Sequence, residues 1–520
     1  MAIEDNELFE YYRLKDGRTI ESIYLSKKMF KLIEEAPEKK RKDRLPYSWN
    51  ESGMADLFGK LYNEDTRYCP EYKTWFTYDK GRWQRDTESL LLSGKIKEFV
   101  ELLLLYSFEI EDETYQNEFR KFISKMGDRR FRERLMKDAR DVLSITASDF
   151  DKDPNLINCL NGTFDLSKLE FREHRWQDFI TKQTNFDYTW SFNENSKVKD
   201  EHLHCKRWED FIAEITSEQL SDNTYKPNSS KADYLQRALG YSLLGTNREE
   251  CMFILHGKTT RNGKSTLLDA IDHMLGDYSS NAPVALICKS NFASSAEAPS
   301  PVLARLKGRR FVTMAESQES GNLDESIIKQ LTGGEEITAR ELRQEPITFL
   351  PQFTLWLSCN SLPSVRDRSL FASDRLRVIE FNRHFGNSER DTSLKELFKT
   401  PEAMKGIFTW LVVGYRKYLD KGLTMSIAMQ KVINNYVKDN DIVLQFLEEK
   451  CERSKDNSQI KVKTLYDSYK IWCKSNGFYV CSSKTFMKNL EAHPDWIKGN
   501  SKVQGCQTYR GIKMKQIKEV

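Results

Sequence analysis

Apolar and polar residues alternate in several rhythms along the chain, and each rhythm predicts an element. Between 205 and 245, CKRWEDFIAEI…ADYLQRALGYSLLG carries apolar residues at helical spacing, with Trp208, Phe211, Ile212 and Ile215 in one stripe. Residues 88–145, with the strongly apolar FVELLLLYSFEI, also read as helical. So do residues 402–450, where MKGIFTWLVVGYRKYL predicts a helix that packs on a core. TWFTYDKGRWQRD sets aromatics around an Asp-Lys-Gly turn and predicts a β-hairpin. PNLINCLNGTFDL at 154–166 predicts a second one, turning at Asn161-Gly162. Residues 324–334 predict a helix closed by Gly333-Gly334 as a C-cap. ITAREL and ITFLPQFTLWLSCN, around the polar turn RQEP, predict a third hairpin. Beyond Lys455 the pattern is helix, turn, helix, then two short strands, which is a winged-helix pattern.

Composition narrows the class. The chain has 520 residues, 39% hydrophobic, 31% charged and 12% aromatic, so it is globular, with material for three or four domains. The net charge of +3 hides an asymmetry: residues 461–520 hold 12 Lys or Arg against 4 Asp or Glu, a local +8. A basic terminal domain suits a polyanionic partner or a soluble lysine-rich surface. Ten scattered cysteines without a Cys-x-x-Cys pair argue against a zinc ribbon and a disulfide framework, and for a reducing cytosol. No apolar run approaches the roughly 20 residues of a membrane span, and the acidic, polar N-terminus is no signal peptide. The sequon Asn161-Gly162-Thr163 is therefore expected to be idle, and Lys39-Lys40-Arg41-Lys42 reads as a solvated linker.

The candidate chemistry sits at 253–268, FILHGKTTRNGKSTLL. The apolar run Met252-Phe253-Ile254-Leu255, a Gly-bearing polar loop, and Lys264-Ser265-Thr266 opening an apolar segment give strand, loop and helix, the setting of a phosphate-binding loop. Glycines there let backbone N–H groups close on phosphate oxygens, and the helix N-terminus adds its dipole. Gly257, Thr260, Asn262, Gly263 and Thr266 would line the nucleotide site, Lys264 would reach the β- and γ-phosphates, and Ser265 would ligate Mg²⁺. Gly257 to Gly263 encloses five residues where the standard spacing has four, and Lys258 stands where that spacing wants Gly. Downstream, RRFVTMAE at 309–316 is a strand with a carboxylate at its end. Glu316 is the first choice to hold the Mg²⁺ shell and polarise water, with Glu319 second. Asn360, after the second run of the third hairpin, would orient the attacking water or cap its strand. SDRLRVIEF at 373–381 sets arginines before an apolar strand. Arg375, or its rival Arg377, would reach a neighbour's γ-phosphate. In the last module Lys484, Lys488, Lys498, Lys502 and Arg510 would contact DNA phosphates unless that module docks protein instead. Asp149-Phe150-Asp151 raises the idea of a primase metal pair, but no partner element accompanies it, and it reads as an acidic loop.

The order of these elements resembles the superfamily 3 helicases of the phage/plasmid and poxvirus-type helicase–primase family. The matching segments are RNGKST at 261–266, AES at 315–317, KQLTGGEEITAREL at 329–342, FLPQFTLWLSCNSLP at 349–363 and DRLRVIEF at 374–381, with NCLNGTFDL upstream. The resemblance implies an α/β fold: an AAA+-like P-loop ATPase core, an α+β N-terminal domain and a C-terminal winged-helix domain. The expected divisions are a charged helical segment at 1–67, a helicase-associated domain at 68–200, the ATPase domain at 201–425 (helical bundle 201–248, P-loop core 249–385) and a basic winged-helix domain at 426–520. It implies ATP and Mg²⁺ as cofactors, and a hexamer through which DNA passes, moving 3′ to 5′. Lys264, Glu316 and Asn360 would act on one side of each ATP site and Arg375 in trans, while the hairpin tip with Arg343 and Gln344 tracks the DNA. Ala315, where many relatives carry an acid, leaves Glu316 and Glu319 both open. The chain looks too short upstream to carry the family's primase domain.

The expectation is a DNA helicase and ATP hydrolase that replicates a phage or mobile element in a bacterial host's cytoplasm, acting on single-stranded and forked DNA with a separate primase and no membrane partner. An ATP-switched origin-binding initiator with little unwinding is the alternative. A packaging motor fits less well, because such a chain would place a nuclease domain after its ATPase.

Overall fold

A computed structural model of the chain describes residues 19–35, 47–189, 204–289, 300–315, 321–365, 369–454, 459–503 and 506–515. The basic run 39–42 and both Glu316 and Glu319 lie outside these residues.

Asparagine and aspartate punctuate the N-terminal body. Asn50, Asp112 and Asp128 each accept a backbone N–H and start the helices Glu51–Leu61, Glu113–Met126 and Arg129–Val142. Asp112 and Asp128 divide the stretch 88–145 into three helices, the first being Leu90–Tyr106. With Thr19–Glu34 they bury one core that includes Phe58, Phe99, Leu103 and Leu135. Strands β1 (Thr66–Cys69), β2 (Thr74–Asp79) and β3 (Arg82–Asp86) form an antiparallel meander beside them, so the expected division at 67/68 runs through β1.

The second hairpin forms as expected: β4 (Leu156–Asn158) pairs antiparallel with β5 (Thr163–Asp165), and β6 (Glu170–Arg172) adds to it. At its turn the Asn161 carboxamide accepts from Tyr188 N at 2.7 Å and donates to Tyr188 O at 2.9 Å. That side-chain nitrogen is spent on the fold, in keeping with an idle sequon. The segment 205–245 is helical at both ends, Lys206–Ile215 and Ser229–Tyr241. A small ribbon of β7 (Glu218–Gln219) and β8 (Tyr225–Lys226) interrupts it. The predicted stripe Trp208, Phe211, Ile212 and Ile215 is buried.

The central sheet has five parallel strands: β9 (Met252–His256), β10 (Ser279–Asn281), β11 (Phe311–Ala315), β14 (Thr354–Cys359) and β15 (Leu376–Glu380), in the order β10-β11-β14-β9-β15. Between β11 and β14 the chain makes a hairpin of β12 (Ile337–Ala339) and β13 (Ile347–Phe349). A parallel sheet is covered on both faces, so its strands read as continuous apolar runs. Phe253 and Leu255 face one side with Phe311, Trp356 and Ile379. Met252 and Ile254 face the other with Val312, Leu355 and Val378. On the first side the helices Ser229–Tyr241 and Pro401–Lys421 cross closely enough to require glycine. A Cβ on Gly240 would lie 2.2 Å from Tyr415 N, and one on Gly414 2.1 Å from Gln236 O.

Two details differ from the sequence reading. The run ITFLPQFTLWLSCN is two strands: β13 closes the hairpin, the chain breaks at Pro351, and β14 then enters the parallel sheet. Proline has no N–H to give a ladder, which accounts for the break. The helix Glu325–Thr332 does end at Gly333, but that residue is extended (φ −81°, ψ 171°) rather than left-handed.

The helix Ile427–Asp439 buries Ile433 and Tyr436 against the central core. A separate core begins at Val443 and includes Phe446, Trp472, Phe486 and Tyr509. It joins the helices Ile442–Lys450, Val462–Ser475 and Ser483–Glu491 with β16 (Cys451–Arg453), β17 (Gln459–Lys461), β18 (Gly499–Val503), β19 (Cys506–Arg510) and β20 (Ile512–Met514). The β18–β19 hairpin follows the helices, as the helix–helix–hairpin pattern predicts. Among the described residues no helix is long and apolar enough to cross a membrane.

Candidate active site

The loop 257–263 leaves β9 at the carboxyl end of the sheet and delivers Lys264 to the first position of the helix Lys264–Leu275. Two glycines shape it. A Cβ on Gly257 would sit 2.3 Å from Asn262 Nδ2 and 2.9 Å from Lys264 Nζ. Gly263 is left-handed (φ +84°), and a Cβ there would meet Ile215 Cγ2 at 2.3 Å. Inside the loop, buried Asn262 donates to Thr259 O at 2.6 Å. His384 Nδ1 lies 2.8 Å from Thr260 O, and Phe385 N donates to Arg261 O at 2.9 Å. The segment after β15 thus braces the loop from outside. Ser265 is exposed beside Lys264.

Lys264 is 5% exposed. Its Nζ donates to Gly257 O at 3.3 Å and to Asn360 Oδ1 at 3.2 Å, both neutral oxygens. Burial pulls its pKa below the ordinary lysine value. The site therefore holds a desolvated cation whose described partners carry no charge, which fits an anionic ligand. Asn360 follows β14, the strand inserted between the loop strand β9 and β11. β11 ends at Ala315, in register with Ser358, so the chain leading to Glu316 leaves the sheet next to the Asn360 strand. His256, the last residue of β9, lies 3.8 Å from Glu380 at the end of β15 and holds that carboxyl below its usual range.

Arg375 is not in this group. It precedes β15 at the amino end of the sheet, where it pairs with Glu250 and donates to Thr332 Oγ1 at 2.9 Å. Its guanidinium thus lies at the end of the sheet opposite the loop 257–263. Asp149 and Asp151 also part ways. Asp149 accepts from Thr146 N at 3.1 Å in a capping box, and Asp151 accepts from Thr181 N at 2.7 Å. Among the described residues no group of three or more His, Cys, Asp or Glu side chains is placed to hold a metal.

The candidate DNA-contacting residues fall on two bodies. Arg343, at φ +61°, is exposed at the tip of the β12–β13 hairpin, next to Gln344. Lys484 and Lys488 are exposed on the helix Ser483–Glu491, opposite buried Phe486 and Leu490. Lys502 is in β18, with its side chain outside the described set. Lys73 pairs with Glu345 at 2.8 Å, and Arg85 with Glu341 at 3.4 Å, tying the N-terminal body to the hairpin. No local pattern could predict these ties, since Lys73 and Glu345 are 272 residues apart. The brace of His384 and Phe385 on the loop escaped sequence reasoning for the same reason.

Three family models match the chain: D5 N terminal like at 55–217, a family of unknown function at 255–375, and poxvirus D5 protein-like at 438–519. The chain is 29% identical over 394 residues to a candidate helicase, L207/L206, of Acanthamoeba polyphaga mimivirus, covering 72% of this chain and 39% of that protein. It is 26% identical over 397 residues to a candidate helicase, 184R, of Invertebrate iridescent virus 6, covering 69% and 39%. It is 22% identical over 394 residues to a candidate primase, C962R, of African swine fever virus, covering 72% and 38%. The chain thus spans about two fifths of the length of these relatives, and all three come from large DNA viruses. Among solved structures, the apo NrS-1 C-terminal region is similar at a TM-score of 0.44 and 12% identity, covering 86% of this chain and 95% of that one.

Proposed function

The chain belongs to the phage- and poxvirus-type helicase–primase family of superfamily 3, and from that premise we propose that it is the ATP-driven motor of a replicative DNA helicase. The observation that carries the proposal is Lys264, a buried cation at a helix N-terminus held by two neutral oxygens. Such a group binds phosphate and stabilises the charge that develops during its transfer. The relatives, all from large DNA viruses, favour a viral replication setting over the expected phage or mobile element in a bacterial cytoplasm.

The residue roles proposed here are those the family resemblance implies. Lys264 holds the β- and γ-phosphates, aided by the N–H groups of the loop from Gly257 to Gly263 and of Thr266. Asn360 orients the attacking water, and Glu316, or Glu319, takes its proton. Mg²⁺, bound through Ser265 and the Glu316 carboxylate, would neutralise charge on the phosphate oxygens. Arg375 of one subunit leaves Glu250 to complete the ATP site of the next, which requires a ring, and the family resemblance supports a hexamer. Arg343 and Gln344 face the DNA in that ring, and the winged-helix-like body adds Lys484, Lys488 and Lys502.

Unwinding of forked DNA bearing a 3′ or a 5′ tail tests this reading, with Lys264→Ala beside the wild type. ATP-dependent opening of the 3′-tailed fork alone, lost in the variant, is the expected result. Failure to open either fork, with ATP still tightening duplex binding, would replace the motor with an ATP-switched origin binder.

A further inference from the structure

A cavity of about 390 Å³ lies between the N-terminal body and the central sheet. The N-terminal body contributes Arg82 and Arg85 to its walls, the segment after β6 contributes Lys182, and the segment ahead of β11 contributes Arg305, Lys307 and Arg309. Against these six cations stand three carboxylates, Asp151, Asp277 and Glu341, leaving a net +3. The carboxylates are already engaged. Asp277 pairs with Arg82, Glu341 with Arg85, and Asp151 accepts from Thr181 and lies 3.9 Å from Lys182. Lys307 donates to the carbonyls of Ala147 and Phe150, Arg309 to those of Asp277, Ser279 and Arg305, and Arg305 to that of Pro301. These three cations thus meet carbonyl dipoles rather than carboxylates among the described residues. Burial lowers the pKa of Lys182 and Lys307, and the Asp151 carboxylate offsets part of that shift in both.

The turn that brings Lys307 and Arg309 together depends on Gly308. It has φ +71°, and a Cβ there would lie 3.0 Å from Asp151 Oδ2 and 3.1 Å from Lys182 Cε. Asp277 and Arg309 immediately precede β10 and β11, so the cavity opens at the amino ends of the strands, away from Lys264. On that side it borders Glu341, which lies between β12 and the hairpin tip. Arg85 at its rim stacks 4.3 Å from the Tyr72 ring centre, a flat cationic platform.

We propose that this cavity binds the phosphodiester backbone of single-stranded DNA where the strand passes between the N-terminal body and the hairpin. The proposal rests on the helicase reading, which supplies the strand. Single-stranded DNA is held by basic grooves with aromatic or guanidinium platforms, and each neutralised phosphate adds to the salt dependence.

The test measures fluorescence anisotropy of a labelled oligothymidylate on the full chain across a salt series. The double variant Arg85→Gln/Arg305→Gln alters exposed rim positions, Lys182→Gln probes the interior, and thermal melting checks folding. The expected result is binding roughly tenfold weaker, with a salt slope lower by about one for each phosphate contact removed. Unchanged affinity and slope in the folded rim variant, with Arg343→Ala still weakening binding, would overturn this site and leave the helicase reading intact. Loss of inorganic tripolyphosphate binding alone, read by calorimetry, would make the cavity a small-phosphate site and also overturn the proposal. A wild-type chain that does not bind the oligonucleotide would sink both.

Discussion

Removing the Lys264 side chain deletes a charge that the fold gains little from keeping, because a desolvated ammonium without a carboxylate partner costs stability as well as supplying function. Lys264→Ala is therefore expected to lower ATP turnover by about 100-fold or more while leaving the melting temperature within a few degrees of wild type. Steady-state hydrolysis and calorimetry on one preparation read both. With the water-orienting role proposed for Asn360, Asn360→Ala should cut turnover by roughly tenfold or more and spare binding of a fluorescent ATP analogue. Glu380 sets an acid limit on the same end of the sheet. Its carboxyl is held low in the folded state by His256, so its contribution is present above the unfolded carboxylate pKa and is lost as pH falls through the lower folded value. Denaturant melts from pH 6 downward should show Glu380→Gln flattening that acid limb. That Lys264 opens a helix after a Gly-bearing loop was legible from sequence, because that order of residue types has a specific local chemistry. The His256–Glu380 pair was not, since it joins two strand ends that touch only once β9 and β15 are neighbours.

Elements were most readable where local chemistry and tertiary demand agreed. Three helices of the N-terminal body begin at capping side chains, and the β9 and β15 runs are apolar because both faces of the sheet are covered. The run from β13 to β14 shows the limit: apolar content cannot distinguish a hairpin arm from a parallel strand, and only Pro351 marks the break. The Gly240–Gly414 crossing was equally silent, because a glycine inside a helix lowers propensity without naming the backbone it must admit. Gly414→Val should cost about 1–3 kcal/mol by forcing the two helices apart, visible as an earlier melt of the central body. An unchanged melt would show that the helices can separate freely.

At the scale of the whole molecule, the nucleotide loop and Arg375 stand at opposite ends of one sheet, and a single subunit cannot bring them together. The shared sites proposed above give a direct prediction: Lys264→Ala and Arg375→Ala subunits, each inactive alone, should recover ATP turnover when mixed. Turnover that stays at background in every mixture would place the finger elsewhere, with Arg377 the next choice. Domain limits were the hardest feature to read from sequence. The core of the N-terminal body spans 25–143 and the last core starts at Val443, because packing follows buried faces rather than composition shifts.

The two ion pairs from Lys73 and Arg85 to the hairpin give it a mechanical rest position. The Lys73 pair is exposed and the Arg85 pair partly so, and each holds only weakly and loosens further as salt rises. They act as a soft latch. For the DNA-tracking hairpin proposed above, each stroke would start from a parked position in dilute buffer. In concentrated salt the hairpin would swing loose, and DNA alone would then set where it begins.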